Sequence, residues 1–318
     1  MSNSALVTIV LPVFCFIGLG YVIIASRLLT DRAGEAMADF VFTIAIPMLL
    51  FRALGTLAMP DVNPWPFWGA YFGGIGVNVA IGYFIVRRAF RRDARVGVIA
   101  GMSASYSNVV MVGMPVISQA FGEAGLVTVF LLIAVHLPVM TTLSAVMIEV
   151  TEIKAGHKAD IPRALWRVVL TVAKNPFIIA IILGTLFRNT GLPLEGIPRT
   201  VIDRVSDTAI PLALISLGMS LHKYGIRGNV LPAILISAVK LLIMPVVVFV
   251  LANYVFVLSP LGVAVAVIAA ACPTGANAYL MANRFQTGLA ISANTITLST
   301  LVSVLTIGFW LSYLLPGG

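Results

Sequence analysis

Charge is scarce in this chain. Only 10% of its 318 residues are Asp, Glu, Lys or Arg, where a soluble domain carries about 25%. Hydrophobic residues make up 60%, and the mean hydropathy is +1.04. That balance excludes a large-cored soluble globule and leaves a polytopic membrane protein. Cysteine is nearly absent. Cys15 and Cys272 both fall in apolar runs, so no disulfide framework is expected and each reads as a small buried hydrophobe. Also missing are an HExxH motif, paired Asp on an apolar run, a Ser/His/Asp cluster and a nucleotide-binding loop. Gly69, Gly73, Gly74 and Gly76 have no Lys-Ser/Thr after them and suit close helix packing instead. The expectation is therefore a non-enzyme with no metal, no cofactor and no ATP-derived energy. An intramembrane enzyme or sensor would need a reactive pair or a soluble output domain, and neither is visible.

What the chain does have is long apolar runs. A spanning helix needs about 20 apolar residues, and ten such segments can be read: 6–25, 35–54, 65–88, 96–119, 124–149, 165–188, 201–221, 230–252, 260–283 and 289–314. No cleavable leader is expected, since the first residues are uncharged and the first run is long enough to span. The pI near 9.8 would suit nucleic acid, but the basic residues sit in short joints between runs. With an outside N-terminus, fourteen of the twenty basic residues fall in inside loops, among them Arg87, Arg88, Arg91, Arg92, Arg95, Lys154, Lys158, Arg163, Arg167, Lys223, Arg227 and Arg284. Three, Arg188, Arg199 and Arg204, fall outside. This bias predicts an integral membrane protein, in contact with lipid, with both termini extracytoplasmic.

The two halves repeat. An ungapped shift of 164 residues places Pro12 on Pro176, Gly20 on Gly184, Asp39 on Asp203 and Ala45-Ile46-Pro47 on Ala209-Ile210-Pro211. Five spans per repeat is odd, so the second copy enters the membrane upside down, the inverted-repeat design of secondary transporters. The predicted fold is all-α, with a first repeat over 1–150, a cytoplasmic linker over 151–164 and a second repeat over 165–318.

Spans 4 and 9 each carry residues that a buried helix should not. Cys272-Pro273-Thr274-Gly275-Ala276-Asn277 interrupts one, and Ser105-Tyr106-Ser107-Asn108 through Gly113-Met114-Pro115 interrupts the other. Proline lacks an amide proton and crowds the carbonyl one turn back, and glycine eases departure from helical geometry. The freed backbone groups need protein or water as partners. Interrupted segments at matching places in two halves point to a transporter's binding site. With a five-residue gap the repeat sets Asn108 on Asn277. A carboxamide can hold a carboxylate oxygen without the desolvation cost of a buried Arg, and the half-helix starts favour an anion. Alternatively, the two Asn residues only tie up the broken backbone.

Other polar residues in the spans are weighed in the same way. Lys240 lies deep in the eighth span, where a cation costs about 2.5–3.5 kcal/mol to insert. It could attract an anion or stand where a coupling cation would sit; snorkelling is the alternative, but its central place in 230–252 favours an interior role. His136 is a candidate proton carrier or a packing residue. Arg52 is expected to snorkel, Glu149 and Glu152 to be solvated, and Asp207 to cap or gate. Pro47 and Pro211 are expected to kink their helices.

Asn108-Val109-Val110-Met111-Val112-Gly113-Met114-Pro115 resembles the fourth-span crossing of the auxin efflux carrier family, and Pro273-Thr274-Gly275-Ala276-Asn277-Ala278-Tyr279 the ninth-span crossing of its bacterial members. The resemblance extends over the whole chain. It implies a scaffold of spans 1, 2, 6 and 7, a transport domain of spans 3–5 and 8–10 that slides as an elevator, and a homodimer joined through the scaffold. It also implies an organic anion such as malonate, malate or an auxin-like acid, bound at the crossings by Ser107, Asn108, Gly113, Pro115, Pro273, Thr274, Gly275 and Asn277. Lys240 and His136 are the coupling candidates. One departure stands out: Ser107 occupies the place of a Pro in plant carriers. The bile acid sodium symporters share the architecture, so sodium-coupled transport of an organic anion is the alternative.

Overall fold

The computed structural model describes residues 3–57, 62–154, 161–224, 226, 228 and 230–315. The joint Met59-Pro60-Asp61, Lys158 in the central connection and Arg227 lie outside the described residues. Among those described, the secondary structure is helical, with an isolated antiparallel bridge between Ser107 and Thr274.

Among the described residues, seven helical stretches are long and apolar enough to cross a membrane: Thr8–Ala25, Asp31–Thr56, Pro64–Ala89, Val109–Ile153, Gly196–His222, Leu231–Val255 and Leu289–Leu314. The helices within and between them are α1 (Asn3–Ala25), α2 (Asp31–Phe40), α3 (Ile46–Thr56), α4 (Pro64–Phe84), α5 (Ala94–Ser103) and α6 (Met114–Lys154), the last broken at Gly122, whose backbone is not helical. The second half follows with α7 (Ile161–Ala173), α8 (Pro176–Asn189), α9 (Gly196–Asp207), α10 (Ala209–Tyr224), α11 (Leu231–Ala238), α12 (Met244–Val250), α13 (Pro260–Ala271), α14 (Asn277–Arg284) and α15 (Leu289–Leu314). The stretch read as span 4 divides into α5 and the start of α6, and that read as span 9 into α13 and α14. The stretch 165–188 departs from the single helix expected: α7 ends at Ala173 and α8 begins at Pro176. The cause is local, since the Asn175 side chain accepts from Phe177 N at 2.9 Å and Pro176 takes the first helical position. Asn63 before Pro64 and Ser259 before Pro260 start α4 and α13 in the same way.

Prolines also explain three of the five π turns among the described residues. Val41–Ala45, Val109–Gly113 and Val239–Ile243 each close two residues before Pro47, Pro115 and Pro245. The carbonyl four residues before each proline lies inside the turn, has no amide to meet and is crowded by the ring, so the ladder widens there. Pro211 follows a helix joint at Thr208 instead.

Glycines set the closest helix approaches. α1 packs on α10, and a Cβ at Gly20 or Gly218 would overlap the carbonyl oxygen of Ile215 or Ile17. α8 packs on α3, where a Cβ at Gly184 would stand 3.0 Å from the Phe51 carbonyl oxygen. Two charged residues behave differently from expectation. Arg52 does not snorkel alone: its Nη1 reaches Asp203 at 3.1 Å and Asp207 at 3.0 Å, tying α3 to α9. Glu152, read as solvated, pairs with Arg95 at 3.3 Å.

Candidate functional site at the meeting of two interrupted segments

α5 stops at Ser103 and α13 at Ala271, and the extended residues that follow them meet side by side. Asn108 N donates to the Pro273 carbonyl at 2.8 Å, and Gly275 N donates to the Tyr106 carbonyl at 2.8 Å. Each segment thus gives one amide and one carbonyl to the other, which satisfies backbone groups freed by the interruption. Proline suits the second segment because only its carbonyl is used. Thr274 locks the contact further: its Oγ1 donates to Ser103 O at 2.7 Å, and its N donates to Ser299 Oγ on α15 at 3.0 Å.

The carbonyl ends of both half-helices are met by side chains from neighbouring helices. Asn78 Nδ2, on α4, donates to Ala104 O at 2.9 Å and to Val239 O at 3.2 Å. Lys240 Nζ donates to Ala270 O at 2.5 Å. Both residues are fully buried.

Helical structure resumes at Val109 and at Asn277, so two helix starts face the same region. There lies a cavity of about 340 Å³. Its walls come from two groups of elements. One comprises Tyr106 to Met111, Ile133, His136, Leu137, Gly275 to Asn277 and Leu280; the other comprises Phe42 and Thr43 just after α2, and Asn175, Pro176 and Phe177 at the start of α8. Among the described residues no Lys, Arg, Asp or Glu lines it. The polar side chains that do are Thr43, Tyr106, Ser107, Asn108, His136, Asn175 and Asn277.

Two of these have spare donor or acceptor capacity. Asn108 Oδ1 accepts from Met111 N at 3.3 Å as a helix cap, while its Nδ2 has no hydrogen-bond partner among the described residues. His136 Nε2 likewise has none; its ring lies against Tyr106 at 4.9 Å and edge-on to Tyr71 at 5.6 Å. Both residues are more than nine-tenths buried. Leaving such groups unpaired costs about 1–3 kcal/mol each, so a ligand that pairs with them gains correspondingly. Asn277 is engaged by contrast, its Nδ2 donating to Tyr106 Oη at 3.0 Å.

Of the residues singled out in the sequence, Ser107, Asn108, Gly275, Asn277 and His136 line the cavity. Pro273 and Thr274 form the contact behind it. Gly113 lies against Cys272 Sγ, and Pro115 sits in the first turn of α6. Lys240 lies under the end of α13 and does not line the cavity. Among the described residues no cluster of His, Cys, Asp or Glu could hold a metal ion. The sequence reading missed the second wall. Asn175-Pro176 carried a usable signal, a helix-start pair inside an apolar run; Phe42, Thr43 and Phe177 carried none.

The sequence profile of the family described as "Membrane transport protein" matches residues 5–311. An "Uncharacterized transporter" of Methanothermobacter thermautotrophicus is 27% identical, the match covering 95% of this chain and 96% of that protein. A "Putative malonate transporter" of Rhizobium meliloti is 25% identical over 98% of this chain and 96% of its own length.

Proposed function

The chain belongs to the membrane transport protein family, that of the auxin efflux carriers, and on that premise we propose that this integral membrane transporter is a secondary transporter of a small organic anion. The anion sits at the meeting of the two interrupted segments, which are read as the broken, crossing spans 4 and 9 of two inverted five-helix repeats. The observation that carries the reading is the cavity itself: two helix starts and two unpaired polar groups, Asn108 Nδ2 and His136 Nε2, in a chamber without fixed anions. Helix N-termini and amide donors hold a carboxylate while adding no full charge to the wall.

The division into scaffold (spans 1, 2, 6 and 7) and transport domain (spans 3–5 and 8–10) also finds support. Gly20 joins the first helix to α10, and its counterpart Gly184 joins α8 to α3, so equivalent glycines close equivalent pairs exchanged between repeats. The cavity's two walls fall on opposite sides of this division, as a substrate carried by one body past another requires. The transport domain moves as an elevator, and the scaffold forms the homodimer. The membrane is the bacterial inner membrane, with both termini outside.

Within the class of malonate, malate and auxin-like acids, the lining favours one carboxylate on an apolar body. Phe42, Val110, Ile133, Leu137, Phe177 and Leu280 face the same space, and a second carboxylate would be desolvated with no cation beside it, a loss of several kcal/mol. A thermal-shift panel on the purified full-length protein tests this. Phenylacetate and indole-3-acetate are expected to raise the melting temperature at concentrations at least about tenfold lower than malonate or malate do, the equivalent of about 1.4 kcal/mol. Stabilisation by malonate alone, the substrate in the Rhizobium relative's name, would replace this choice with a dicarboxylate. No response to any acid would remove the organic-anion reading.

A further inference from the structure

The two half-helix ends at the crossing are finished by different chemistry. On the first, the donor to Ala104 O is the neutral carboxamide of Asn78; on the second, the donor to Ala270 O is the amine of Lys240. Lys240 is fully buried, and none of the ion pairs among the described residues includes it. Among the described residues, the titratable side chains within its electrostatic reach are Cys272 and His136, neither of them a carboxylate. Ile268 O in the same last turn is already served, since it accepts from Cys272 N at 3.1 Å and from Cys272 Sγ at 3.2 Å. A buried lysine without a carboxylate is an expensive choice for a single hydrogen bond, because a carboxamide serves at the twin position. What the ammonium adds is positive charge at the negative end of a helix dipole.

We propose that Lys240 is the resident cation of the crossing: its ammonium, tethered by its own side chain, sits on the carbonyl end of α13 in the place where a free metal cation would otherwise be needed to steady the broken segment. The crossing is then complete without sodium. The charge also sits on the half-helix that leads into Thr274 and Asn277, so it offsets an anion bound at the cavity without touching it. The inference rests on the crossing geometry alone, and its test needs no transported acid, so it stands or falls separately from the choice of substrate.

The test uses Lys240→Ala in the full chain, purified in detergent. That substitution keeps Cβ and removes three methylenes and the ammonium, which n-propylammonium supplies and n-propanol mimics without charge. The native protein is expected to melt at the same temperature in sodium chloride and choline chloride. Lys240→Ala should melt several degrees lower, and n-propylammonium chloride should restore at least half of the loss while n-propanol does not. Equal rescue by n-propanol would show that the side chain only fills space and would overturn the proposal. Should Lys240→Ala fail to fold, Lys240→Arg and Lys240→Gln decide. Arg near the native melting temperature with Gln well below it supports a required charge. Gln at the native temperature would mean that a neutral donor suffices, and the proposal falls.

Discussion

Asn108→Ser is expected to bind the transported acid roughly ten- to a hundred-fold more weakly than the native chain, as losing one hydrogen bond to a charged group implies, while melting at the native temperature. Asn108 has two separable jobs. Its Oδ1 caps the helix start by accepting from Met111 N, and its Nδ2 is unpaired at the cavity. Serine caps as well as asparagine does but is too short to place a donor where Nδ2 stands. Asn108→Ala removes both groups, so it should lose the same affinity and in addition about 1 kcal/mol of stability. Asn277→Ala should weaken binding in step, with the extra loss of the Tyr106 contact. Titration of the three variants by calorimetry separates the jobs. Native affinity in Asn108→Ser and Asn277→Ala together would reduce both residues to ties of the broken backbone.

The second large effect concerns movement. If the cavity's two walls belong to bodies that slide past each other, joining them should stop transport completely and leave binding in place. Phe42 and Leu280 are suitable partners, because they line opposite walls and neither is a polar group of the site. In a background with Cys15 and Cys272 replaced by alanine, Phe42→Cys with Leu280→Cys is bridged in reconstituted vesicles by a short reducible bis-thiosulfonate. Uptake of the best acid from the thermal-shift panel should fall to the level of empty vesicles and return on adding dithiothreitol. Each single-cysteine protein should be unaffected by the reagent. Continued uptake with the bridge in place would rule out the elevator division drawn here.

The interruptions were legible because they break a local rule. Pro273, Gly275 and Asn277, or Ser107 and Asn108 ahead of Gly113 and Pro115, have no business in an apolar helix unless backbone is meant to be freed there. The same logic reaches the three π turns that precede Pro47, Pro115 and Pro245, since proline acts on the carbonyl four residues before it whatever the tertiary setting. The break at Asn175-Pro176 obeyed that grammar too, but the surrounding hydrophobicity masked it in a reading by run length. Other features depend on distant parts of the chain and leave no local trace. Arg52 finds its two aspartates 151 and 155 residues away, so snorkelling was the natural expectation for it in isolation. Phe42 and Phe177 become wall residues only because helix packing brings α2 and α8 to the crossing. Asn78 lies in between: a carboxamide deep in an apolar helix asks for a partner, but nothing in the third span says that the partner is the end of α5.

The position of the bound anion decides between substrate contact and a purely structural crossing. A structure of the full chain solved with the panel's tightest acid is the direct measurement. The carboxylate should lie within about 3.2 Å of Asn108 Nδ2, beside the helix starts at Val109 and Asn277, with its apolar body toward Phe42, Phe177 and Leu280. An acid bound elsewhere, with Asn108 Nδ2 still unpaired, would contradict substrate contact at the crossing.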